Sequence, residues 1–172
     1  AVIANNTDSA IKGRDALEIE WGSSPHSGYT SAAFTEEMRA AAKKPGTVFR
    51  KEGDIGAAFK GAAKTFAGEY SQAHMAHAMM EPPAAVANVA DGKVEVWACV
   101  QSPYGTRLDV AAAMGVDPAD VKVNVTLLGG GFGRKSKCDF VLAAVMLSQQ
   151  IGAPVKVQWT REDDIRHSFY HT

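Results

Sequence analysis

Beyond residue 84 the apolar and polar positions follow two distinct periods. Ala85–Val89 and Lys93–Val100 read as strands, separated by Ala90-Asp91-Gly92. Asp-Gly between apolar runs signals a hairpin, because a tight turn needs residues that tolerate left-handed backbone. Ser102 followed by Pro103 opens a helix that runs to Met114 and stops at Gly115. Val121, Val123, Val125 and Leu127 alternate with Lys122, Asn124 and Thr126, the pattern of a half-buried strand. Phe140, Ala144, Leu147 and Ile151 then recur at helical spacing. Ser136 and Asp139 stand as a capping box before that helix, and Gly152 and Pro154 end it. Val155, Val157 and Trp159 form one more strand. The pattern predicts an α+β fold: a mixed sheet with a β-hairpin followed by helix, strand, helix and strand (ββαβαβ), the helices packed on the sheet. Its last three elements can form a right-handed βαβ unit.

The first 70 residues are patterned more weakly. Ser9–Leu17 reads as a short helix, and Leu17–Trp21 alternates like a strand. Gly22–Gly28 is a cluster of breakers and hence a loop. Thr35-Glu36-Glu37 opens a helix to about Ala42, ended by Pro45-Gly46. Val48–Arg50 is a short strand, and Asp54 caps a helix carrying Ile55, Ala58, Phe59 and Ala62. Thr65–Ser71 is extended.

Composition sharpens the contrast. The chain is 46% hydrophobic, but 29 of those residues are alanine. Residues 1–70 hold 15 large apolar side chains and residues 71–172 hold 35. The first part is therefore expected to pack poorly alone, or to borrow a partner chain. Length allows one domain, or one and part of a neighbour. The chain starts without an initiator methionine or a basic leader, and reads like the middle of a longer protein.

Charge removes several classes. With 18 basic and 19 acidic residues, no electrostatic footprint for nucleic acid exists. No apolar run approaches the ~18 residues of a membrane span. Cys99 and Cys138 make neither a disulfide framework nor a four-thiolate metal site.

The segment Gly129-Gly130-Gly131-Phe132-Gly133 carries the most chemistry. Four glycines in five residues imply left-handed backbone or a very close neighbour. Between a strand and a helix, backbone N–H groups converge and can hold an anion, and Arg134 and Lys135 add matching charge. It is neither a P-loop nor a dinucleotide fingerprint, since Arg134 stands where each requires glycine.

These residues resemble a known family. Leu128–Lys135 is similar to the Gly-Gly-Gly-Phe-Gly-Gly-Lys segment of the molybdenum hydroxylases, the molybdopterin-binding large subunits of xanthine dehydrogenase and aldehyde oxidase type. Gln72–Pro82, ending in Met-Glu-Pro, and Glu95–Gln101 agree in order and spacing. The tail Trp159–Tyr170 is most similar to the isoquinoline 1-oxidoreductase-like branch.

The resemblance implies a fragment of a larger subunit. Residues 1–22 would end a hammerhead-type domain, 23–64 would be a helical connection, and 65–172 would begin the molybdopterin-binding domain. It implies molybdopterin with molybdenum, in simple or cytosine dinucleotide form. It also implies 2Fe-2S clusters on a partner iron–sulfur subunit, in addition to the remaining domains of the large subunit. The backbone amides of Gly130, Gly131, Phe132 and Gly133 would line the pterin and the metal's oxo group, with Phe132 against the metal centre. Gln101 would donate its amide to an oxygen on the metal, and Arg134 would favour the phosphates. Ser136 replaces the glutamate of purine-oxidising members, which argues against a purine. The implied reaction is hydroxylation of an N-heterocycle or aldehyde carbon with water-derived oxygen. The family's general-base glutamate matches no residue here, so the chain alone would be inactive. Compartment, periplasm or cytoplasm, stays open.

Other candidates have simpler readings. His74 and His77 would share a helical face and suit a metal, but without a third ligand a structural role is favoured. Met75, Met79 and Met80 read as packing residues, and both cysteines as small buried apolar groups. Glu81 either orients the site or is an ordinary loop carboxylate. Asp163 and Asp164 are adjacent and point apart on a helix. His167 and His171 stand one helical turn apart. Two other functions remain open: a stand-alone anion- or nucleotide-binding module, and a non-catalytic scaffold.

Overall fold

A computed structural model of the chain describes residues 1–170, so His171 lies outside the described residues. The chain divides into two units, the first ending at Glu69 and the second beginning at Tyr70.

The first unit has three helices: α1 (Thr7–Asp15), α2 (Ser31–Ala42) and α3 (Ile55–Gly61). Each starts where a polar side chain takes an orphan backbone donor. Asn6 accepts from Ser9 N–H at 2.8 Å, Thr30 from Ala33 N–H at 3.2 Å, and Asp54 from Ala57 N–H at 3.0 Å. Thr30 therefore caps α2, which starts at Ser31, four residues before the expected Thr35. The strands expected at Leu17–Trp21 and Val48–Arg50 do not form. Alternation alone gives a strand nothing to pair with, and this unit contains no strand among the described residues. No described residue of the unit is buried, and Trp21 and Phe49 stand in solvent.

The second unit is built on β1 (Ala84–Ala90), β2 (Lys93–Ala98), α4 (Pro103–Met114), β3 (Val121–Val125), α5 (Asp139–Ile151), β4 (Val155–Gln158) and α6 (Arg161–Arg166). Short 3₁₀ turns cover Pro118–Asp120 and Arg134–Ser136. The four strands form one mixed sheet in the order β3-β2-β1-β4. The hairpin is its centre: β1 and β2 pair from Ala85↔Ala98 to Ala90↔Lys93, around Asp91 and Gly92, both left-handed. β3 lies parallel to β2, and β4 antiparallel to β1.

The neighbouring βαβ unit is thus β2–α4–β3. The expected unit β3–α5–β4 joins opposite edges, because the hairpin already fills the middle. That central place suits the most apolar strands: Ala85, Ala87, Val94, Val96 and Ala98 are buried, and Val110, Ala111, Phe140, Val141, Ala144 and Val145 from α4 and α5 complete the core. β3 ends at Val125, so Leu127 falls outside it and is exposed.

The capping box expected at Ser136 and Asp139 does not form. Cys138 occupies the N-cap position of α5 without a side-chain cap, and the Asp139 carboxylate is bound to Arg134 instead. A capping box does open α6. Asp163 N–H donates to Thr160 Oγ1, and Thr160 N–H donates to Asp163 Oδ2. The sequence Trp159-Thr160-Arg161-Glu162-Asp163 carries the required spacing.

Candidate functional site

The glycine segment runs from the end of β3 to the 3₁₀ turn before α5, and two other pieces of chain fix it. One is the strap before β1. Glu81 N–H donates to the Gly129 carbonyl at 3.2 Å, and Glu81 Oε2 accepts from Gly129 N–H at 2.9 Å. The same oxygen accepts from Lys135 Nζ at 2.6 Å. Partial burial works to raise the Glu81 carboxyl, but the Lys135 ammonium and the Gly129 amide outweigh it and hold the group below the ordinary carboxylate range. The strap is held from its other side by Arg161, which pairs with Asp164 and donates to the carbonyls of Met79 and Met80.

The second piece is Gln101, just past β2. Its N–H donates to the Lys135 carbonyl at 2.9 Å, and its Oε1 accepts from Gly133 N–H at 3.0 Å. Gly133 N–H can only donate, so the amide orientation is determined: oxygen to the loop, Nε2 turned away. This contact bears on Gly131. A Cβ there would lie 2.4 Å from Gln101 Oε1, so any larger residue would displace the Gln101 side chain. Gly130 and Gly133 have φ of 93° and 97°, and a Cβ on Gly130 would press on Met79 at 3.2 Å.

Phe132 also has left-handed backbone, at φ 49°, while its side chain is 71% exposed. Among the described residues, the N–H groups of Gly130, Gly131 and Phe132 have no hydrogen-bond partner. Of the four amides expected to line a ligand, that of Gly133 is already taken by Gln101.

The two adjacent cations turn inward. Arg134 is 1% exposed and makes paired hydrogen bonds to Asp139, both 2.9 Å. Its guanidinium lies 5.2 Å from the Trp159 ring centre and 4.9 Å from that of Phe169, close enough for cation–π attraction. Lys135 is 0% exposed and pairs with Glu81. The charge expected to meet an anion is thus paired with carboxylates within the fold. Sequence reasoning gave neither Asp139 nor Glu81 this role: Glu81 lies far from Lys135 in sequence, and Asp139, close to Arg134, carried capping spacing instead.

The remaining candidates sit elsewhere. His77 Nδ1 is 3.3 Å from Ser168 Oγ. No cluster of three His, Cys, Asp or Glu suited to a metal occurs among the described residues. Met79 is buried as expected, but Met75 and Met80 are exposed and pack little. Both cysteines are buried and free. Burial, with a hydrogen bond to Asp109, pushes the Cys138 thiol up to about 12, which suits no nucleophile. Ser136 lies exposed on the 3₁₀ turn.

A loop with successive unpartnered amides, left-handed backbone and an exposed aromatic ring suits a ligand presenting oxygen acceptors and a flat face. The profile of the molybdopterin cofactor-binding domain matches residues 40–171. The chain belongs to this family. It is 28% identical over 167 residues to one of the subunits of nicotinate dehydrogenase from Pseudomonas putida, covering 95% of this chain and 14% of that protein. It is 37% identical over 92 residues to the beta subunit of isoquinoline 1-oxidoreductase from Brevundimonas diminuta, covering 53% of this chain and 12% of that one. The crystal structure of quinoline 2-oxidoreductase from Pseudomonas putida 86 superposes with a TM-score of 0.59 at 26% identity, over 64% of this chain and 14% of the other. The α+β unit thus corresponds to a small part of much larger molybdenum hydroxylase chains, and the domain family is that of the xanthine dehydrogenase and aldehyde oxidoreductase large subunits. No helix among the described residues is long and apolar enough to cross a membrane.

Proposed function

We propose that this chain supplies the cofactor-binding loop of a molybdopterin-dependent oxidoreductase that hydroxylates an N-heterocycle or aldehyde carbon. The observation that carries this reading is the row of unpartnered amides at Gly130, Gly131 and Phe132, held beside Gln101. When bound, molybdopterin would supply the redox-active metal, and the chain would supply position and hydrogen-bond donors. The three amides would receive oxygen acceptors of the cofactor. Gln101 Nε2, turned away from the loop, would add a donor without adding charge. Phe132 would cover one face of the site and exclude water. Arg134 is paired with Asp139 through both terminal nitrogens, so any role toward phosphates would fall to its general charge rather than to that fork.

One feature argues against a purine. Ser136 stands where purine-oxidising members carry glutamate. The isoquinoline-like branch, a partner subunit with 2Fe-2S clusters, and residues 1–22 as the end of a hammerhead-type domain, with 23–64 as a connection, are parts of the same proposal. The test is elemental and pterin analysis of the natural protein that carries this chain. Stoichiometric molybdenum and pterin are expected. A pure, active, metal-free protein would overturn the reading.

A further inference from the structure

Lys135 is sealed from solvent, and its attachments lead to three parts of the site. Its Nζ reaches Glu81 Oε2 at 2.6 Å, and that oxygen also holds Gly129 N–H at 2.9 Å. Its carbonyl accepts from Gln101 N–H at 2.9 Å, and Gln101 Oε1 holds Gly133 N–H at 3.0 Å. The bonds close a ring: Lys135 side chain, Glu81, Gly129, the loop, Gly133, Gln101, and back to the Lys135 main chain. Both ends of the loop are pinned, and the unpartnered amides of residues 130–132 span the gap between the pins.

We propose that Glu81 and Lys135 are positioning residues that set the spacing of those three amides, and so decide how firmly the cofactor is held; this rests on the function proposed above. The chemistry suits the task. One carboxylate oxygen accepting from an ammonium and an amide fixes both donors at once, through charge-assisted bonds. A buried ammonium deprived of its carboxylate is costly, so the surrounding chain must rearrange if Glu81 loses its charge.

The test uses the natural protein carrying this chain, with its partner subunits. Four variants are compared: Glu81→Gln, Lys135→Met, the double substitution, and Lys122→Gln. The last breaks the exposed Lys122–Glu95 pair of 2.7 Å as a control. Molybdenum and pterin per chain are measured after extensive dialysis, with the Mo(V) electron paramagnetic resonance spectrum and far-ultraviolet circular dichroism. Both single variants should weaken molybdenum retention by about 10–100-fold, as loss of supporting partners around a metal site does. Any metal retained should show an altered spectrum. The double variant should be no worse than the worse single, because the two residues act as one unit. Lys122→Gln should match wild type.

Glu81→Gln keeps the side chain's shape and an acceptor oxygen, and carries the test if Lys135→Met does not fold. Single variants with wild-type molybdenum content and spectrum would overturn the proposal, as would equal losses in Lys122→Gln. Wild-type protein without molybdenum would instead sink the functional reading itself, so the two failures are distinguishable.

Discussion

Phe132 holds left-handed backbone with its ring largely in solvent, a combination that stability alone does not select. For a residue with a Cβ this conformation costs about 1–2 kcal/mol. Phe132→Gly is therefore expected to raise the unfolding free energy by about 1 kcal/mol while weakening cofactor retention. Urea denaturation checks the first part, and an unchanged or lower value would show that the backbone is not strained. Glu81 makes a prediction with a definite sign. Its folded carboxyl lies below its ordinary value of 4.5, so its stabilising contribution is complete above that value and is lost as pH falls through the lower folded value. The stability gap between wild type and Glu81→Gln should thus be constant near neutrality and shrink in acid. Denaturation curves collected between about pH 3 and pH 7 would show it. A gap that persists undiminished into acid would mean that the carboxylate charge is not what Glu81 contributes.

Among the elements, α5 packs on the sheet through its apolar face and is also hydrogen-bonded to it through one buried hydroxyl. Ser148 Oγ accepts from Val89 N–H at 3.0 Å and donates to the Ala153 carbonyl at 2.8 Å. Ser148→Ala leaves both groups short of a partner, and should cost about 1–3 kcal/mol by chemical denaturation. Nothing in the periodicity of α5 marks Ser148, because a polar residue at a core position reads locally as an interruption. Elements set by local rules were legible: the Asp91-Gly92 hairpin, the Pro103 and Gly115 limits of α4, and Asp54 as a cap. Elements that depend on a tertiary partner or on a competing side chain were not. Leu17–Trp21 alternates but has no neighbouring strand, and Asp139 has capping spacing but is claimed by nearby Arg134. The site divides in the same way. A crowded backbone at 129–133 follows from the glycines, whereas the destinations of Arg134 and Lys135 depend on carboxylates that folding brings to them.

For the whole molecule, the contrast in apolar density between residues 1–70 and 71–172 reappears as a contrast in burial. No described residue before Tyr70 is buried, whereas the later unit holds a continuous core. Local opening should therefore be far easier in the first unit. In hydrogen exchange on this chain, amides of α1–α3 are expected to exchange well before those of β1 and β2, and equal protection would refute the expectation. The sheet order has a consequence in time as well. The central pair β1 and β2 is joined by a two-residue turn, while β3 and β4 reach the edges only after α4 and α5 have been traversed. Contacts close in sequence form at least entropic cost, so the sheet should grow outward from its middle. We expect Val94→Ala in β2 to slow folding, and Val155→Ala in β4 mainly to speed unfolding, as stopped-flow rates would show. On a ribosome the hairpin would emerge and close first. The glycine loop would wait for β3, and the strap that pins it would wait for Arg161 beyond β4, so under the proposed function the cofactor site would be completed late in the maturation of this region.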